Sequence, residues 1–290
     1  MRGGASRHER ENMEISEILK KNGFSFKKQY GQNFLSDSNL LRAIVSDAGV
    51  DENATVLEIG AGAGALTRAL AEKARRVVSF EIDPSLRPVL AETLSGCDNV
   101  EIIFRDFQKT DLAALEKELG KYTVVANLPY YVTTPVIMRF VEEAKGCRGF
   151  TVMVQEEVAL RFCAKAGSAD YGAVTAAIAR KGICAVTRKV PREMFRPRPN
   201  VDSAVVRADF SCGGFEVKSE RAYRETVRCA FASRRKTLEN NLMNGFSLSR
   251  EQAKEILRAA EVEEGARGET LSPNRLGSLS DLLFERGYAK

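Results

Sequence analysis

The chain is 290 residues long, 44% hydrophobic and 29% charged, which suits a soluble protein with room for two globular domains. A single histidine, His8, leaves little scope for imidazole acid–base chemistry or His-ligated metals, and six scattered cysteines lack the paired spacing of a zinc site. No apolar run approaches the roughly 18 residues of a membrane span, and the N-terminus has no signal-peptide core, so a cytoplasmic protein is expected.

Residues 1–25 read as an N-terminal extension, partly disordered, in which Met13 offers an alternative start to Met1. Leu40–Val45 has helical periodicity after a Ser36-Asp-Ser38 cap. Strands are predicted at Thr55–Gly60, Arg76–Glu81, Val100–Phe104, Thr123–Ala126 and Phe150–Val154. Helical patterns lie between them at Ala65–Ala74, Pro84–Leu94, Asp111–Leu119 and Pro135–Ala144. Apolar strands alternating with amphipathic helices predict an α/β fold, an open and mostly parallel sheet covered on both faces. Two further strands, Ile183–Val190 and Ser203–Phe210, flank a loop rich in proline and arginine, PREMFRPRPN. The small residues Ser211–Gly214 read as a linker, after which the pattern is helical with breaks at Gly245, Gly265–Gly268 and Pro273. The expected organisation is an α/β domain over 26–211 and a small helical domain over 215–290.

The first strand runs into Glu58-Ile-Gly-Ala-Gly-Ala-Gly-Ala-Leu-Thr67, a glycine turn that opens a helix. Glycines at such a turn let a ligand approach backbone without meeting a β-carbon. The motif points to an adenosine-type ligand without separating a nicotinamide cofactor from S-adenosylmethionine. Glu81 ends the second strand, 21 residues after Gly60, where a carboxylate can accept from ribose hydroxyls. Asp106 follows the third strand, placed to accept from an adenine amine. Acids at successive strand mouths mark a pocket at the carboxyl edge of the sheet.

The fourth strand stops on Asn127-Leu-Pro-Tyr130. An adenine exocyclic amine is a poor nucleophile because its lone pair is delocalised into the ring. The side-chain carbonyl of Asn127 and the backbone carbonyl of Leu128 could accept its two N–H bonds and favour a pyramidal nitrogen in line with a methyl donor. Pro129 stiffens the turn, and Tyr130 offers a ring for stacking on the base. Positioning and electrostatics would then supply the acceleration, without metal or covalent intermediate.

Four motifs occur in order along the chain: Tyr30-Gly-Gln-Asn-Phe-Leu35, the glycine turn, Asn127–Tyr130 and Phe231-Ala-Ser-Arg-Arg-Lys-Thr-Leu238. Together they resemble the small-subunit rRNA adenine dimethyltransferases, the KsgA/RsmA family, over most of the chain from about Phe26 to Tyr288. The resemblance implies a Rossmann-like S-adenosylmethionine-dependent methyltransferase sheet with a small C-terminal α-helical domain. It implies dimethylation at N6 of two adjacent adenosines in the 3′-terminal hairpin of 16S rRNA within the immature small subunit, and sensitivity to kasugamycin. Donor binding falls on Asn33, Leu35, Gly60, Glu81, Asp106 and Asn127. Contacts to the target adenine fall on Asn127, Leu128, Pro129 and Tyr130, with Phe195 as a second stacking ring. The family's Asn-Ile-Ser after the tyrosine is here Tyr131-Val-Thr, which leaves the role of Tyr131 open.

Charge supports a polyanion partner. Arg180–Arg198 holds seven basic residues against Glu193, and Arg221–Lys236 holds six against Glu225, in a chain whose net charge is only +5. Arg192, Arg196, Arg198, Arg234, Arg235 and Lys236 are the expected RNA contacts. The related alternative is a 23S rRNA adenine N6-methyltransferase of the macrolide-resistance type. No heptad pattern argues for a dimer, so a monomer is expected.

Overall fold

The computed structural model describes residues 15–27, 32–35 and 37–290; His8, Met13, the Tyr30-Gly31 pair and Ser36 lie outside the described residues. Contacts divide the chain into two compact units, one containing residues up to Ala159 with Ala185–Ala208, the other Leu160–Cys184 with Asp209–Lys290.

The first unit begins with a helix over residues 15–21 (α1). Part of the stretch expected to be a disordered extension is therefore folded. The reason is apolar spacing: Ile18 is buried, and Ile15, Leu19 and Phe24 pack with it against Ala61, Ala63, Leu86, Val89 and Leu90. After the two-residue strand β1 (Phe34–Leu35) comes α2 (Ser38–Asp47), whose N-cap is Asp37, accepting from the Leu40 amide at 2.8 Å. Leu41, Ile44 and Val45 form its buried stripe.

The sheet strands follow as β2 (Thr55–Ile59), β3 (Arg76–Glu81), β4 (Val100–Phe104), β5 (Tyr122–Asn127) and β6 (Cys147–Gln155). Between them run α3 (Ala65–Ala71), α4 (Arg87–Thr93), α5 (Leu112–Leu119) and α6 (Thr133–Glu143). Two more strands, β7 (Gly182–Val190) and β9 (Ser203–Gly213), complete a seven-stranded sheet of order β4-β3-β2-β5-β6-β9-β7. The ladders β4-β3, β3-β2, β2-β5 and β5-β6 are parallel. The chain moves outward from β2 through β3 to β4, then returns to lay β5 on the other side of β2. That reversal makes the carboxyl ends of β2 and β5 a topological switch point, where doubly wound sheets leave a crevice. A short strand β8 (Phe195–Arg196), inside the Pro-Arg loop, pairs antiparallel with β1, Leu35 opposite Phe195 and Phe34 opposite Arg196.

The second unit contains two helical stretches that periodicity did not single out, the end of α7 (Glu156–Phe162) and α8 (Ala173–Lys181). It continues with α9 (Glu220–Ala230), α10 (Leu238–Phe246), α11 (Arg250–Ala259) and α12 (Pro273–Glu285). Side-chain caps start them: Ser219, Thr237, Ser249 and Ser272 each accept from the amide three residues on. Tyr223, Leu238, Leu242, Ile256, Leu276 and Leu283 form its core. The expected linker proves to be strand as far as Gly213, because small residues permit close pairing here. A β-carbon on Gly214 would meet the Lys181 carbonyl at 2.7 Å. Gly245, expected as a break, lies within α10, where a β-carbon would strike the Cys229 sulfur at 2.4 Å. Residues 160–184 pack with the C-terminal helices, whereas the sequence reading had assigned them to the sheet domain. Among the described residues no helix is long and apolar enough to cross a membrane.

Candidate active site

The glycine turn joins β2 to α3 with three residues in left-handed conformations, Gly60 (φ 86°), Gly62 (φ 55°) and Gly64 (φ 87°), which a side chain would strain. Glu81 at the tip of β3 holds this turn: its Oε2 accepts from the Gly62 amide and its Oε1 from the Asp83 amide, both at 2.8 Å. Burial raises the Glu81 pKa, and the backbone amides of Asp83 and Gly62 oppose that rise. A carboxylate offers about four lone-pair sites, so Glu81 keeps acceptor capacity for a ligand hydroxyl beyond its backbone amides. Phe34 lies against the turn from the other side, since a β-carbon on Gly62 would meet its ring at 3.1 Å.

Above the turn is a cavity of about 420 Å³, of a size suited to a cofactor. Asn33, Leu35, Gly60, Glu81, Asn127, Leu128, Pro129, Tyr130 and Phe195 all line it, so nine of the predicted site residues meet on one surface. Arg196 lines it as well, carried there by the β1–β8 pairing. Asn127 ends β5 with its Nδ2 donating to the Asn33 carbonyl at 3.2 Å. With the amide nitrogen engaged, Oδ1 is the atom left to accept from a bound group. The Pro129 carbonyl takes the Val132 amide (3.1 Å) and the Thr133 hydroxyl (3.3 Å), which fixes the turn into α6. Tyr130 is held at its hydroxyl by Ser203 Oγ at 3.0 Å, and burial raises its pKa, keeping the phenol neutral.

Asp106 departs from expectation. It is absent from the cavity wall, and its Oδ1 caps the turn at Phe107–Lys109 by accepting from the Gln108 amide at 3.0 Å. An acid after a strand serves either purpose, and local geometry here favours the cap. Phe195 lines the cavity but is only 2% exposed and packs among Leu35, Leu41 and Ile44, so most of its surface belongs to the core.

The sequence reading missed one side of the site. Ile15, Leu19, Phe24 and Phe26 line the cavity, as does Ile82, which is 44% exposed just after Glu81. The signal was present in the alternating aromatics of Phe24-Ser-Phe26 and the apolar residue at the strand tip. Segment 15–27 is pinned by Lys27 Nζ to Asp83 Oδ1 (2.7 Å) and by Lys21 Nζ to Glu92 Oε1 (2.7 Å). Gln32 Nε2 adds a bond to Asp83 Oδ2 at 3.0 Å.

The basic residues divide by what they touch. Arg192 donates to the Asn200 carbonyl at 2.9 Å and Arg198 pairs with Glu193, both shaping the loop around β8. In the second unit, Arg234 donates to the Ala169 and Tyr171 carbonyls, a tie within the fold. Asn241 Nδ2 donates to the Ala230 (3.0 Å) and Ser233 (3.2 Å) carbonyls, and Thr237 caps α10, so the turn carrying exposed Arg235 and Lys236 is fixed on both sides.

The cavity fits an S-adenosylmethionine donor on this chain's own terms: a glycine turn along its wall, a buried carboxylate for ribose hydroxyls, and apolar surface from Ile82 and Phe26. Comparison with known proteins agrees. The family model for ribosomal RNA adenine dimethylase matches residues 23–275. A ribosomal RNA small subunit methyltransferase A from Geobacillus thermodenitrificans (strain NG80-2) is 48% identical over 276 residues, 92% of this chain and 94% of that protein. A dimethyladenosine transferase from Plasmodium falciparum shares the fold, with a TM-score of 0.76 at 22% identity, over 88% of this chain and 99% of that one. The 23S rRNA methyltransferase ErmE gives a TM-score of 0.67 at 29% identity, over 87% of this chain and all of its own (100%). The small-subunit relative is thus much nearer in sequence than the 23S enzyme. With its glycine turn, Glu81 and Asn127–Tyr130 gathered on one cavity, this chain belongs to the ribosomal RNA adenine dimethylase family.

Proposed function

We propose that this chain dimethylates N6 of two adjacent adenosines in the 3′-terminal hairpin of 16S rRNA, acting as a cytoplasmic monomer on the immature small subunit. The observation that carries the reading is that Asn127, its amide nitrogen donating to the Asn33 carbonyl, lines the same cavity as Glu81 and the glycine turn. The share of sequence held in common with a small-subunit enzyme supports 16S over 23S rRNA as substrate.

S-adenosylmethionine supplies, when bound, an electrophilic methyl group on a sulfonium. Gly60, Glu81, Asn33 and Leu35 would hold it against the turn. Asn127 Oδ1 and the Leu128 backbone carbonyl accept the two N–H bonds of the adenine amine, which weakens conjugation of its lone pair with the ring. Tyr130, locked by Ser203, stacks on the base, and the neutral phenol adds no charge beside it. Phe195 supports the opposite face through its cavity-lining edge. The transfer needs no metal in this scheme, because placement and carbonyl dipoles lower the barrier. Arg196 at the cavity, with Arg192 and Arg198 on the same loop, suits phosphates flanking the target nucleotide, and exposed Arg235 and Lys236 in the second unit suit further rRNA phosphates.

The test is incubation of the protein with labelled S-adenosylmethionine and undermethylated small subunits, followed by mapping of modified bases. Two adjacent dimethyladenosines near the 3′ end of 16S rRNA are expected, and label in 23S rRNA would overturn the assignment. Asn127→Ala should lower kcat by about 10²–10³-fold, the usual cost of losing one preorganised polar contact to the reacting group. Binding of the RNA should survive, and full turnover in that variant would refute the amine-acceptor role. In cells, loss of the gene should give kasugamycin resistance; newly acquired macrolide sensitivity would instead identify the 23S enzyme.

A further inference from the structure

Two cysteines in the second unit lie outside everything the methyl-transfer site uses. Cys163 follows the last turn of α7 and Cys184 lies early in β7, and their sulfurs are 3.5 Å apart. Both are partly exposed. Cys229, by contrast, is buried and donates to the Asn241 carbonyl, and Cys212 is exposed on β9. A disulfide requires sulfurs about 2.05 Å apart, so closing this pair needs a movement of about 1.5 Å, within reach of a side-chain rotation.

We propose that Cys163 and Cys184 form a reversible intramolecular disulfide, a modification site for peroxide-class oxidants. The bond would join the segment just after the chain enters the second unit at Leu160 to the segment just before it leaves at Cys184. It therefore closes a loop of about 20 residues that contains α8, and restricts the unfolded state accordingly. Cys163 is the attacking sulfur. The contact between the two thiols holds Cys163 below the ordinary thiol range, and the same contact with burial holds Cys184 above it. Lys165 stands two residues beyond Cys163, and Arg180 and Lys181 shortly before Cys184, so the surrounding sequence is cationic.

The chemistry balances in two steps. The Cys163 thiolate attacks one oxygen of hydrogen peroxide, the O–O bond breaks, and a sulfenic acid and hydroxide result. The Cys184 sulfur then attacks the Cys163 sulfur, an S–S bond forms, the S–O bond breaks, and water leaves with the thiol proton. Two thiols are oxidised by two electrons, and one peroxide becomes two waters.

The test uses the full chain, reduced, desalted and titrated with hydrogen peroxide, then denatured in N-ethylmaleimide and digested without reductant. A cross-linked peptide carrying Cys163 and Cys184 should appear before any other cysteine is oxidised, with loss of two of the six labelled thiols and full recovery in dithiothreitol. In C184S, dimedone should trap sulfenic acid at Cys163; in C163S, Cys184 should stay unmodified at the same dose. The oxidised protein should melt several degrees higher than the reduced one, and neither serine variant should show that shift. Prior oxidation of Cys212, disulfides between chains, or over-oxidation of Cys163 without a cross-link would each overturn the proposal.

Discussion

Glu58 sits one residue before the end of β2 with 0% exposure. Its Oε2 accepts from Thr67 Oγ1 and Ser79 Oγ, both at 2.6 Å, while Oε1 has no partner among the described residues. Burial raises its pKa from 4.5 to about 7; the two hydroxyls oppose the rise, and the charge of Glu81 adds to it. The folded state thus holds this proton more tightly than the unfolded chain does. The contribution of Glu58 to stability is fully present below pH 4.5, falls as pH rises, and is lost above about pH 7. The gap between 4.5 and about 7 corresponds to about 3 kcal/mol, most of which disappears between pH 5 and pH 8. Glu58→Gln removes the ionisation and leaves every other carboxylate in place. Whatever fixed cost the amide brings, the stability difference between E58Q and wild type should swing by about 2–3 kcal/mol toward the variant over that pH range. The chain has no tryptophan, so urea unfolding is best followed by far-ultraviolet circular dichroism. A difference that stays constant from pH 5 to pH 8 would refute the argument, because Glu58 would then titrate alike in both states.

Other predictions concern the site and its walls. Lys27→Met removes the cation from buried Asp83 and should weaken S-adenosylmethionine binding about tenfold, equivalent to about 1.4 kcal/mol, by loosening segment 15–27; calorimetry showing unchanged affinity would exclude that segment from the donor site. Tyr130→Phe keeps the stacking ring and loses only the Ser203 bond, so kcat should fall less than tenfold, whereas Tyr130→Ala should cost about 1–3 kcal/mol of substrate stacking; equal effects would remove stacking from the mechanism. Charge reversal at Arg235 and Lys236 should reduce the salt dependence of RNA binding by about 0.7–0.9 per lost phosphate contact, and an unchanged slope would place these residues off the RNA. Arg234→Ala should instead lower thermal stability, since its guanidinium ties two backbone carbonyls, and a variant as stable as wild type would contradict that role.

Asn127 through Tyr130 was legible without coordinates because strand periodicity ended on a carboxamide and a proline turn, and strand ends in parallel sheets face one edge. The glycine turn and Glu81 were legible for the same reason, their chemistry being local in sequence. Asp106 shows the ambiguity of a carboxylate two residues past a strand, which reads alike as ligand or cap: the structure shows the cap on the Gln108 amide, made by one of its two oxygens. Arg234 adds a role that a basic run does not announce: its reach to the Ala169 and Tyr171 carbonyls depends on a loop far away in sequence.

By itself the sequence determined the alternating strands and helices of the sheet from β2 to β6, the glycine turn and the residue types at the carboxyl ends of its strands, since these follow from residue type and short-range spacing. Only the tertiary structure decided that α1 and Phe24–Phe26 wall the cavity, that residues 160–184 join the C-terminal helices, and that β1 and β8 bring Leu35 beside Phe195. Those outcomes depend on which faces find each other across separations from about 40 residues, between α1 and the glycine turn, to about 160, between β1 and β8, and periodicity within a single segment carries no record of its partner.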